Sequence, residues 1–124
     1  MPSAGAAYIA PDGLQMAVSA DGSIALHQAA AENGMCPSVS FLFRSVARVS
    51  GPKAVGILLT GMGCDGALEL KEMREAGAVT MAQNQETSTV FGMPGEAINA
   101  GAATYVLAPE EIALALADIV KTPG

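Results

Sequence analysis

Residues 55–68, Val-Gly-Ile-Leu-Leu-Thr-Gly-Met-Gly-Cys-Asp-Gly-Ala-Leu, constrain this chain more than any other stretch. An aliphatic run without alternation suits a strand buried on both faces, as in a parallel sheet covered by helices. It runs into Gly61, Gly63 and Gly66, which permit a tight strand-to-helix turn with backbone N–H groups left exposed. Polar groups just past the carboxyl end of such a strand stand where open α/β sheets place their sites. Asp65 is therefore the first candidate functional residue.

The flanking segments repeat the strand–helix alternation. Tyr8–Ala10, Leu14–Val18 and Ser23–Leu26 read as short strands, with Asp12-Gly13 and Asp21-Gly22 as turn signals. Residues 28–36 read as a loop. From Pro37 the apolar residues Val39, Leu42, Phe43, Val46 and Ala47 recur at helical spacing, and Gly51-Pro52 ends that helix. A second helix is expected from Gly66 to Glu75, closed by Gly77, then a buried strand over Ala78–Ala82. A polar loop follows from Asn84 to Phe91. Pro94 suits a first helical turn, and Gly101 ends that helix. Ala103–Leu107 reads as a third strand. Pro109, Glu110 and Glu111 open a last helix, with Ile112, Leu116, Ile119 and Val120 on its inner side. The alternation implies an α/β fold: a three-layer, mostly parallel sheet flanked by helices, with an N-terminal β-hairpin.

Composition narrows the function classes. The 124 residues suit one domain, spanning 1–124, with a single core. A formal charge of −6 and only five aromatic residues, none of them Trp, speak against a nucleic-acid surface of basic patches and stacking rings. No apolar run approaches the roughly 20 residues that cross a bilayer, so membrane insertion is not expected. Cys36 and Cys64 make no disulfide framework, and no secretion signal opens the chain. A reduced, cytoplasmic protein is expected. No His/Cys/acid cluster falls at ligand spacing, so neither a metal nor a cofactor is called for.

Gly61-x-Gly63-x-x-Gly66 matches the dinucleotide fingerprint, which keeps a nucleotide binder as one alternative. Against it, Asp65 places a carboxylate where a helix N-terminus would receive pyrophosphate, and like charges repel. Cys64 near a helix start is a candidate nucleophile, but Met62 stands where a nucleophile elbow needs glycine. The sole histidine, His27, alternates with Ile24 and Leu26 and is expected to face solvent. Asp65 suits two roles equally, the N-cap of its own helix or a functional carboxylate.

Leu59-Thr60-Gly61-Met62-Gly63-x-Asp65-Gly66-Ala67 resembles the signature of the chemotaxis-receptor methylesterases, the CheB-type protein-glutamate methylesterase domain. The likeness runs along the chain in the family's order: Tyr8-Ile9-Ala10-Pro11 with Gly13, Pro37-Ser38-Val39, Leu42-Phe43, Ser45-Val46-Ala47, Ala82-Gln83, Val90-x-Gly92-Met93-Pro94 and Ala97-Ile98. What the resemblance implies is a hydrolase that removes methyl groups from glutamates of chemoreceptors and deamidates certain glutamines. Its catalytic group is a serine, a histidine and an aspartate. Asp65 matches that aspartate, and Met62 matches the residue whose backbone N–H helps form the oxyanion hole.

The resemblance also implies departures. The family's serine and histidine precede the hairpin with which this chain begins, so the chain matches roughly the last two thirds of the domain. Gln15 stands where the family usually has histidine, and Ser40 where it usually has aspartate. The expectation is a truncated domain, inactive alone. The alternative is a non-catalytic, homo-oligomeric or partner-binding module in a signalling pathway. An uncovered strand edge would favour self-association unless the hairpin from Tyr8 to Leu26 folds over it.

Overall fold

A computed structural model describes residues 2, 3 and 5–121. Strands β1 (Gln15–Val18) and β2 (Ile24–His27) pair antiparallel, with Gln15 opposite His27. Helix α1 (Val39–Val49) follows, and Ser38 Oγ caps it by accepting from the N–H of Phe41 at 3.1 Å. A 3-10 turn at Gly51–Lys53 leads into β3 (Val55–Leu58). Then come α2 (Ala67–Glu75), β4 (Val79–Gln83), α3 (Met93–Asn99), β5 (Tyr105–Leu107) and α4 (Pro109–Lys121). Strands β3, β4 and β5 form a parallel sheet in that order, Val55 opposite Val79 and Met81 opposite Tyr105. The α/β architecture read from the sequence is the one observed.

The period of two along β3 decides what each face meets. A side chain on Gly56 would run into Leu70 Cδ1 at 2.6 Å and Met73 Cε at 3.0 Å. Gly56 and Leu58 therefore face α2, and the absence of a side chain at 56 lets that helix lie close to the sheet. Leu58, Ala67, Leu70, Met73, Ala78, Ala97 and Ala102 form the core on this side, and Val39, Phe43, Val46 and Ala47 of α1 pack against it. Helix α4 lies over the other face, where Ala115 and Ile119 line a cavity together with Val79, Met81 and Tyr105.

Several expectations change. Tyr8–Ala10 is not a strand; the first ladder begins at Gln15. Strand β3 is buried on one face only: Gly56 and Leu58 are buried, but Val55 and Ile57 are half-buried because α4 lies over β4 and β5. Val120 is 82% exposed and not on the inner side of α4, where Ile112 is the buried residue. The hairpin does not close the β3 edge. It forms a sheet of its own, bound to α1 through Val18 N–H donating to Ser45 Oγ at 2.9 Å.

Gln15 shows why the hairpin stays there. Its side chain is fully buried; the amide nitrogen donates to the carbonyls of Ala30 (3.1 Å) and Met35 (3.3 Å). Its oxygen accepts from the N–H of Ser38 at 2.8 Å and from Ser38 Oγ at 3.2 Å. One residue thus joins β1, the 28–36 segment and the start of α1. Among the described residues no buried side-chain nitrogen or oxygen lacks a partner.

Candidate active site

The turn after β3 is held from one side by the segment before α3. Thr60 Oγ1 donates to the Val90 carbonyl (3.0 Å) and accepts from the Val90 N–H (2.8 Å). Gly61 N–H donates to Val90 O, and Gly61 O accepts from the N–H groups of Gly92 and Met93 at 3.0 and 2.9 Å. A side chain on Gly92 would lie 2.8 Å from both Gly61 O and Gly63 N, so the two backbones touch there. From below, Gln83 Oε1 accepts from the N–H of Thr60 at 2.7 Å. The glycine turn is thereby fixed at its first residues while Met62, Gly63 and Cys64 stay exposed.

Asp65 is 5% exposed, and it does not cap its own helix. The N-cap of α2 is Gly66 in the left-handed region (φ 87°), with no side-chain bond. The Asp65 carboxylate instead crosses to α1. Oδ2 accepts from the N–H of Val39 at 2.7 Å; Oδ1 accepts from the N–H of Ser40 at 3.1 Å and from Asn33 Nδ2 at 3.0 Å. Val39 and Ser40 open α1, so the carboxylate satisfies two of its otherwise unpaired N–H groups at the positive end of the helix dipole. The approach that allows this is the contact of Gly66 with Val39, where a Cβ would sit 2.4 Å from Val39 Cγ1. Three of the roughly four acceptor positions of the carboxylate are filled, leaving one on Oδ2.

A polar network extends from there. Ser40 Oγ accepts from Asn33 Nδ2 and from Gly66 N–H, both at 3.0 Å, and donates to Glu69 Oε1 at 2.7 Å. Arg44 binds Glu32 through both outer nitrogens at 3.2 and 2.5 Å, with Glu69 Oε2 at 3.9 Å. The Glu32 bonds raise the Arg44 guanidinium above its already high pKa, so this cation is permanent. Ser40, where the resemblance leads one to expect aspartate, is thus the junction between α1, α2 and the 28–36 segment.

Asp65 opens onto a cavity of about 310 Å³ lined also by Asn33, Met35, Val39, Met62, Cys64 and Met93. Met62 stands at its rim, 84% exposed, and its N–H makes no hydrogen bond among the described residues. The two candidate residues are therefore brought together on one cavity, a buried carboxylate and a residue whose backbone N–H has no partner among the described residues. Cys64 is an exposed free thiol on the same cavity. His27 is elsewhere: exposed as expected, it packs against Phe41 with the rings tilted by 50° and their centroids 5.7 Å apart, and it lines a different groove between β1 and α1. Among the described residues no group of three or more His, Cys, Asp or Glu is placed to hold a metal ion.

The family model described as CheB methylesterase matches residues 1–116. The chain belongs to the CheB methylesterase family. The protein-glutamate methylesterase/protein-glutamine glutaminase 1 of Syntrophus aciditrophicus is 62% identical over 120 residues, 97% of this chain and 33% of that protein. The protein-glutamate methylesterase/protein-glutamine glutaminase of Nitrosospira multiformis is 53% identical over 124 residues, 100% of this chain and 35% of that protein. The chain thus spans about a third of the length of the curated relatives it matches. The crystal structure of the Thermotoga maritima CheB methylesterase catalytic domain superposes with a TM-score of 0.85 at 32% identity, over 90% of this chain and 61% of that chain.

Sequence reasoning singled out Asp65 and Met62 as candidates but did not single out Asn33, Ser40 and Glu69 as neighbours of Asp65. One signal was present. Asn33-Gly34 is a strong tight-turn pair, and it makes a small hairpin inside the 28–36 segment, with Glu32 and Met35 exchanging backbone hydrogen bonds of 3.0 and 2.9 Å.

Proposed function

We propose that these residues form the aspartate side of a protein-glutamate methylesterase and glutamine deamidase site acting on chemoreceptors. The observation that carries the reading is the Asp65 carboxylate: buried, fixed by three hydrogen bonds with one acceptor position unfilled, and lining the same cavity as Met62, whose N–H has no partner among the described residues. In this reading Asp65 receives the N–H of a catalytic histidine, sets its tautomer and stabilises its imidazolium. The Met62 N–H donates to the oxyanion of the tetrahedral intermediate, a contribution of roughly 3–4 kcal/mol to the barrier in comparable sites. The nucleophilic serine and the histidine are not supplied by these 124 residues. Ser40 is 1% exposed and committed to Glu69, and His27 lies in another groove.

The reading places the protein in the cytoplasm, and no helix among the described residues is long and apolar enough to cross a membrane. The test is release of methanol from a methylated receptor peptide. The 124-residue chain alone is expected to give none above background. A turnover by this chain that disappears in Asp65→Asn would overturn the inactivity and leave the role of Asp65 standing. A second reading, a non-catalytic homo-oligomeric or partner-binding module, is favoured by one feature: among the described residues β3 has a strand neighbour on one side only.

A further inference from the structure

Asn33 and Gly34 occupy the two central positions of the tight turn between Glu32 and Met35, with φ of 53° and 76°. An asparagine followed by glycine is the pair most prone to cyclise, because no side chain on the second residue hinders its nitrogen. Here the approach is open: a Cβ built on Gly34 would meet nothing within 4 Å. Asn33 is also exposed, so water reaches the turn. Its carboxamide nitrogen is nevertheless committed to two acceptors, Asp65 Oδ1 and Ser40 Oγ, both at 3.0 Å. The most labile amide in the sequence is thus the one that holds the buried carboxylate.

We propose that Asn33-Gly34 is a site of spontaneous deamidation, restrained in the folded chain by the bonds Asn33 makes, whose product is a second carboxylate that displaces Asp65. The Gly34 nitrogen gives up its proton to solvent base and attacks Asn33 Cγ. The new C–N bond forms, the Cγ–Nδ2 bond breaks, and Nδ2 leaves as ammonia carrying the balancing proton. Water then opens the cyclic imide at either carbonyl, giving aspartate or isoaspartate. Water is the one co-reactant, and no oxidant or reductant is consumed.

Attack requires the carboxamide to turn out of its two hydrogen bonds, so the folded site resists the reaction. After it, an acceptor-only group stands where a donor faced Asp65 Oδ1 and Ser40 Oγ. Two carboxylates at hydrogen-bond distance repel, with Glu32 and Glu69 beside them and Arg44 already bound to Glu32. Asp65 is then pushed from the N–H groups of Val39 and Ser40, and Asn33 lines the same cavity as Asp65 and Met62. Deamidation would therefore act as an irreversible loss of the carboxylate's placement, whatever reaction the cavity serves.

The test is peptide mass spectrometry on the chain incubated in mildly alkaline buffer, folded and in urea, following amide-to-acid exchange. Asn84 and Asn99, which precede Gln85 and Ala100, serve as internal controls. Asn33 is expected to react faster than either control in urea, and roughly tenfold more slowly folded than unfolded, for two lost hydrogen bonds. Ser40→Ala, which removes one acceptor, should raise the folded rate. Equal rates at Asn33 folded and in urea would overturn the restraint. For the consequence, hydrogen exchange at the Val39 and Ser40 amides is compared in Asn33→Asp and Asn33→Ser. Loss of protection in the first and retention in the second are expected; protection retained in Asn33→Asp would overturn the displacement of Asp65. If Asn33→Asp does not fold, the same amides are followed in naturally deamidated protein separated by charge.

Discussion

A carboxylate at a helix start is usually read as the cap of the helix that follows it in sequence, and Asp65 caps a different one. Local propensity carries no information on which N-terminus a short side chain will reach. That depends on how closely α1 and α2 approach, which the glycine at 66 decides. The distinction changes what substitution does. A capping role at α2 would make Asp65→Asn nearly neutral. In the observed site both oxygens face N–H donors, so the amide turns its NH2 toward Val39 N–H or toward Ser40 N–H and Asn33 Nδ2. Asp65→Asn is therefore expected to cost roughly 1–3 kcal/mol through donors left unsatisfied, read as a lowered urea midpoint with unchanged slope. A neutral Asp65→Asn would contradict this arrangement. Gln15 makes the same point. It was legible as a departure from a family pattern but not as a fully buried hub, because four partner atoms from two other segments converge on it only in the fold. Gln15→Leu, of similar volume, should cost roughly 1–3 kcal/mol because the Ser38 N–H and two carbonyls lose their partners, and hydrogen exchange at Ser38 should rise with it.

At the scale of elements, the strands and helices from Val39 onward were legible because period, glycine and proline all agreed. Helix α3 begins with Pro94 in its first turn and its chain reverses at Gly101, as the sequence signals require. The N-terminal segment was less legible. Tyr8–Ala10 has the composition of a strand but no partner, and a strand exists only through its partner. Nor does periodicity show how α1 meets α2. Its fully buried residues are Ser40 and Ser45, while its apolar stripe is half-covered. What sets that contact is Gly66, left-handed at φ 87° and within 2.4 Å of Val39 Cγ1 if given a Cβ. Gly66→Ala should accordingly lose roughly 2–4 kcal/mol, combining the left-handed penalty with overpacking. Gly63→Ala, at φ 89° but in open space, should lose only the former, roughly 1–2 kcal/mol. Thermal or urea denaturation of the pair separates the two causes, and equal losses would remove the α1–α2 contact from the explanation.

At the scale of the whole molecule, what meets β3 decides the assembly. The sheet has two edges, and they differ. Strand β5 is three residues long, and a short edge offers little for a neighbour to pair with. Strand β3 and the residue after it, Val55 to Leu59, carry no charge and no proline to discourage pairing. Val55 and Ile57 are half-buried and Leu59 is 51% exposed. The hairpin would have made a monomer self-sufficient by lying along that edge, but Gln15 and Ser45 tie it to α1. Beyond the sheet, Leu114 and Val120 of α4 are 69% and 82% exposed, which adds apolar surface to a chain of charge −6. The 124-residue chain is therefore expected to self-associate, with β3 at the contact. Sedimentation at micromolar concentration should give a mass above 12.4 kDa. Ile57→Lys, which places a charge on the half-covered face of the edge strand, should return the mass to that of one chain. An assembly that persists unchanged in Ile57→Lys would move the contact to α4, and a monomer at the outset would mean that backbone groups along β3 are adequately served by water.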